Sequence, residues 1–196
     1  TLAVMYQNAQ SFTANALEWS ADGYTRAITL EPTNPLLHWR LGQVEATRGN
    51  VDEAKEAMTR ATGLKLDYIP PYLDLAVIYE REGDLTAAIE VFRPPAFEVL
   101  RQDAEVLFTL GRLYYNRAEE GDFDRAEQVW LEAVGRSPEY ANALYSLGLL
   151  YEKTGRRGEA VEYFNRVQAI HPDNPDIGAK IEALLAPIPV LEVVEE

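Results

Sequence analysis

The chain has 196 residues, no cysteine and a formal net charge of −14. Without cysteine there is no disulfide framework, thiol nucleophile or thiolate metal site. The acidic balance excludes nucleic-acid binding through a basic face, and no run of about 18 apolar residues is present to cross a membrane. Thr1 opens the chain without a methionine or a signal-peptide pattern, so the sequence reads as a segment of a longer protein whose compartment stays open.

The charge is uneven. Residues 35–68 hold five acids and five bases, whereas 69–103 and 104–140 each carry −4. Solubility explains that excess, and an acidic binding face is the rival explanation.

Taken in chain order, the sequence repeats itself. The first unit, about 1–34, is degenerate. Tyr24, Ala27 and Pro32 suit its second helix, while Leu2-Ala3 and Tyr6 anchor its first, with Ser20 in the place of a small alanine. That register needs an insertion of about five residues within NAQSFTANALEW. The next units, about 35–68, 69–103, 104–140 and 141–174, align more plainly. Leu41-Gly42, Leu75-Ala76, Leu110-Gly111 and Leu147-Gly148 recur at spacings of 34, 35 and 37, and Ala54, Ala88, Ala126 and Ala160 at 34, 38 and 34.

Each unit predicts a helix, a glycine-containing turn and a second helix. The small residue after leucine lets the paired helices approach, and Tyr79, Tyr114 and Tyr151 are expected to fill the layer between units. One such pair cannot bury its apolar face alone, so neighbours must stack. Residues 175–185 predict a last helix, capped by Asp173 or Asn174. Ile177, Ile181, Leu184 and Leu185 form its apolar stripe, and Lys180 and Glu182 its outer face. Residues 186–196 read as an extended or disordered tail.

The set Leu-Gly/Ala, Tyr, Gly, Ala, an aromatic (Phe92, Trp130, Phe164) and a closing proline (Pro32, Pro138, Pro172) resembles the tetratricopeptide repeat over nearly the whole chain. The resemblance implies an all-α superhelix of about five helix–turn–helix repeats with a C-terminal capping helix, right-handed and without enzymatic activity or cofactor.

It also implies that first helices line a concave groove. The positions that match are Trp39, Arg40 and Gln43; Leu73, Asp74 and Val77; Phe108, Thr109, Arg112 and Tyr115; and Tyr145, Leu149 and Glu152. These side chains are expected to be free of packing between paired helices. Aromatics with arginine are enriched at binding hot spots, and packing against the neighbouring first helix is the competing role. Arg40 and Arg112 are the basic groove residues, suited to one carboxylate or phosphate or to a salt bridge with Asp74.

The lysine–asparagine clamp that some family members use for a peptide carboxylate is absent, its places being held by Trp39, Gln43, Asp74, Glu105 and Thr109. The expected partner is therefore a protein or peptide of another kind, with self-association as a rival. A looser likeness, to repeat domains appended to multi-span bacterial glycan ligase or polymerase-type membrane proteins, implies an assembly or regulatory role.

Catalysis and metal binding have no motif. His38 and His171 are isolated, the acids Glu119–Glu120 and Glu195–Glu196 are adjacent and so do not converge on a substrate, and no glycine-rich phosphate loop is present. The stretch VFRPPAFEVL breaks the pattern, because Pro94 and Pro95 fall inside a second helix. It predicts a kink on the convex or inter-pair side, with a fresh turn starting near Pro95. NRAEEGDF in the fourth unit carries three extra residues, expected to change curvature or to form a contact ridge.

Overall fold

A computed structural model describes residues 2–8 and 15–186, with only the backbone of 6–8. The part of the first-unit insertion in 9–14, the side chain of Tyr6 and the tail from residue 187 lie outside the described residues. Within them the chain is all-helical and superhelical. α1 (Leu2–Asn8) pairs with α2 (Ala16–Leu30), and α3 (Pro35–Arg48) with α4 (Val51–Leu64). α5 (Ile69–Arg81) is followed by two short helices, α6 (Leu85–Glu90) and α7 (Ala96–Leu100). α8 (Ala104–Arg117) pairs with α9 (Asp122–Arg136), α10 (Ala141–Lys153) with α11 (Arg157–Ile170), and α12 (Pro175–Leu185) packs on α11.

Local chemistry sets these boundaries. Asn34, Asp84, Asp103 and Asn174 accept hydrogen bonds from amides of the helices they precede, and prolines occupy the first turns of α3, α5 and α12, where no amide partner is lost. Within each pair from α3 onward the chain reverses through a glycine with φ of 78° to 85°, as at Gly49 and Gly155.

The pairs close because one residue is small. A Cβ on Gly111 would lie 2.4 Å from Trp130 Nε1, and one on Gly148 would lie 2.7 Å from Phe164 Cε1. In the first pair Ala3 takes this role, and the buried Ser20 hydroxyl donates to its carbonyl at 3.0 Å. The recurrent tyrosines do reach across pairs. Tyr151, almost fully buried, donates to Glu127 of α9 at 2.9 Å, and burial together with that carboxylate raises its pKa. The apolar core runs without interruption from α5 to α12, with separate smaller clusters joining α1–α3 and α3–α5.

The proline pair divides the third pair's second helix. α6 stops at Glu90, and Phe92 N and Arg93 N donate three residues back, to Ile89 and Glu90. Phe92 and Ala96 are still buried. The peptide bond between the prolines is cis. Thr59 and Thr62 of α4, with Val91, Pro94 and Pro95, line a cleft of about 700 Å³ here, which puts the break on the side of the second helices.

In the fourth pair the insertion forms a turn held by Asp122, whose side chain has no solvent exposure. Its carboxylate accepts two hydrogen bonds of 2.8 Å from Arg117, one of 2.9 Å from Arg125 and one of 3.1 Å from Glu119 N. Two expectations for α12 change. Leu185 is exposed, and Leu184, one residue earlier on the helix, is the leucine that packs against the core. Lys180 does not face outward: it pairs with Glu152 of α10.

Candidate interaction groove

The first helices α3, α5, α8 and α10 set Trp39, Leu73, Phe108 and Tyr145 at equivalent positions, one turn before Gln43, Val77, Arg112 and Leu149. All eight are half-buried. Of the remaining candidates Arg40, Asp74 and Tyr115 are half-buried, Thr109 is buried and Glu152 is exposed.

The polar candidates are tied to one another. Asp74 accepts from Trp39 Nε1 at 2.7 Å and from Gln43 Nε2 at 3.0 Å, so one carboxylate joins α5 to α3. Arg40 reaches it only through Gln43, donating to Oε1 at 3.0 Å, and its guanidinium lies 4.4 Å from the Trp39 ring centre. The expected salt bridge of Arg40 to Asp74 is therefore replaced by a relay. Arg112 turns instead to Glu80, which also accepts from Asn116 at 3.3 Å. The hydrogen bond from Arg112 holds the Glu80 carboxyl below the usual carboxylate range. With Glu152–Lys180, these bonds form rungs that tie α3 to α5, α5 to α8 and α10 to α12.

The aromatics divide by role. Trp39 meets Tyr68 edge-on at 5.6 Å and Phe108 meets Tyr140 at 5.7 Å, so both pack toward the following unit. Tyr115 packs on Phe123 and Trp130 of α9, and Tyr145 on Phe164 of α11. These two thus pack within their own pairs, contrary to the expectation that they stand free of them. The reason is the glycine in each first helix, which draws the second-helix aromatic in beside the tyrosine. What remains between the rungs is an apolar strip of Leu73, Val77, Phe108 and Leu149.

Sequence reasoning overlooked Glu80, Asn116 and Lys153. Glu80 lies three residues after Val77 on the same face of α5, which was the available signal. Lys153 Nζ lies 4.7 Å from the Tyr115 ring centre and 4.8 Å from that of Phe123. His38 Nε2–H donates to Pro32 O at 2.8 Å, a structural tie at the start of α3. Among the described residues no group of histidines and acids is arranged to hold a metal ion.

Comparison with known proteins adds the lineage. Tetratricopeptide repeat profiles match residues 69–93 and 108–175. The type IV pilus assembly protein PilF of Pseudomonas aeruginosa is 26% identical over 178 residues, covering 84% of this chain and 69% of PilF. The human protein O-mannosyl-transferase TMTC1 is 24% identical over 77% of this chain, which spans only 17% of TMTC1. Among solved structures, MamA superposes with a TM-score of 0.66 at 21% identity, covering 91% of this chain and 96% of MamA. YrrB also gives 0.66 at 21%, covering 92% and 90%. With the Leu-Gly/Ala, tyrosine and alanine positions packed as the repeat requires, and the profiles matching α5–α6 and most of α8 through α11, this part of the chain is built of tetratricopeptide repeats.

Proposed function

We propose that the array is a protein-interaction scaffold that holds a peptide or partner segment in its concave groove. The strip of Leu73, Val77, Phe108 and Leu149 carries this reading: four half-buried apolar side chains on successive first helices, with the polar groups beside them already paired. A surface fixed in this way loses little freedom on binding, which favours affinity. YrrB, described as having an unusual peptide-binding site, supports it by analogy of fold.

Selection from a random linear peptide library tests the reading. The expected outcome is a family of peptides that bind the array and lose at least about tenfold in affinity when Val77→Gln or Leu149→Gln is introduced, since a polar group replaces buried apolar contact. Far-UV circular dichroism should show unchanged helicity. Peptides indifferent to both substitutions would move the site elsewhere.

A second reading rests on coverage. The chain spans 17% of TMTC1 and 11% of the cellulose synthase operon protein C of Xanthomonas axonopodis, so the array also suits an appendage of a larger membrane-bound glycan-processing enzyme. The full reading frame decides it: hydrophobic spans beside the array support this reading, and their absence removes it. Self-assembly is the remaining rival, favoured by the exposed Leu2 and Met5 of α1. Light scattering would show it as a mass that grows with concentration.

A further inference from the structure

The chain's charge is divided between the two layers of the array. α3 and α8 each carry +1, α5 and α12 each −1, and α1 and α10 none, so the first helices are neutral as a set. The whole net charge of −14 lies in the second helices, the loops and the chain ends, −11 of it within residues 15–186. Inside the groove layer seven cations meet seven acids. Arg40, Arg81 and Lys153 have no carboxylate within ion-pair distance among the described residues. Asp74, Glu105, Asp176 and Glu182 likewise have no cation, Glu80 and Glu152 are paired with Arg112 and Lys180, and Arg117 pairs outward with Asp122.

The two layers act over different ranges. Packed helices stand about 8–10 Å apart. At about 0.01 M salt the screening length is about 30 Å, so the outer charge is felt throughout the groove; at about 1 M it is about 3 Å, and only the neutral groove layer is felt.

We propose that the groove's occupant is a segment with an uncharged apolar centre and basic flanks, selected for charge by the outer helices at long range and not by an ion pair inside the groove. This rests on the groove reading above and specifies its ligand. The apolar centre meets Leu73, Val77, Phe108 and Leu149. The flanks extend past the apolar strip toward the N-terminal ends of the first helices, where the connecting loops carry Glu31, Asp67, Glu139 and Asp173. An acidic segment would find the same apolar strip but approach against the field.

The same random peptide selection, run at about 0.01 M and about 1 M salt, tests the proposal. At low salt the pool sensitive to Val77→Gln should be rich in lysine and arginine beside an apolar core and poor in aspartate and glutamate. At high salt the core should persist while the charge bias disappears. A low-salt peptide should associate at least about tenfold more slowly at high salt, the size expected of electrostatic steering. Acid-flanked peptides at low salt overturn the proposal. So does a basic bias undiminished at high salt, which would place an acidic contact inside the groove. If no recovered peptide is sensitive to Val77→Gln or Leu149→Gln, the groove reading itself falls. The outcomes thus separate the two ideas.

Discussion

Asp122 holds a carboxylate without solvent contact among two guanidinium groups and a backbone amide. Arg117, 14% exposed, would be left without its main partner by Asp122→Ala. Breaking a buried pair in this way costs about 3–5 kcal/mol, readable as a lowered urea midpoint. The hydrogen bond from Arg117 depresses the folded pKa of Asp122 below its ordinary value. Its stabilising contribution is therefore complete above the ordinary aspartate pKa of about 3.9 and is lost as pH falls through the lower folded value. The difference in urea midpoint between wild type and Asp122→Asn should be constant near neutral pH and shrink below about pH 4. A difference that does not shrink would mean the charge contributes nothing. In the sequence Asp122 stands in EEGDFD and looks like one more solvated turn acid. Its burial depends on where Arg117 and Arg125 stand after the chain has reversed, information that no local pattern holds.

At the scale of the helix, close approach and interruption are the two designs to test. Gly111→Ala would press a methyl group against Trp130. Overpacking of this kind costs about 1–3 kcal/mol. Gly135 is also helical but has nothing within 4 Å of its would-be Cβ, so Gly135→Ala should stabilise by about 0.5–1 kcal/mol through helix propensity. Chemical denaturation of both variants gives opposite signs if the glycines differ as described. For the interruption, replacing Pro94 and Pro95 by alanine restores two amide donors and removes the bias against helix at Arg93. α6 should then extend past Glu90, with a stronger ellipticity at 222 nm. An unchanged signal would assign the break to the packing of Phe92 and Ala96 instead of the prolines. The break itself was legible, because Pro-Pro has one local meaning in a helix. The rungs of the groove were not. Periodicity told which face of α5 holds Asp74 and Val77, but not that Arg112, 32 residues after Glu80, would choose it over Asp74. That choice depends on the offset between stacked pairs.

Over the whole molecule, stacking predicts uneven stability, since each pair is supported mainly by its neighbours. The continuous core from α5 to α12 contrasts with the separate small clusters under α1–α3 and α3–α5. Amides of α8–α11 should therefore exchange with deuterium more slowly than those of α2–α4, by the difference between global and local opening. Equal protection along the chain would indicate a single cooperative unit. Architecture was the most legible level, because Leu-Gly/Ala and the later alanine recur at nearly the repeat length and each has one packing role. The division of charge was less so: the −14 is plain in composition, but its absence from the first helices is seen only once the helices are assigned to layers.

The placement of the tryptophans also makes the array report optically on itself. Trp19 lies on α2 at the N-terminal end, Trp39 spans the joint between α3 and α5 through Asp74, and Trp130 is sealed above Gly111. Indole emission moves to the red when water arrives, so versions keeping Trp39 or Trp130 alone would record in colour which of their joints opens first, with the exposed Trp19 as the already-wet reference.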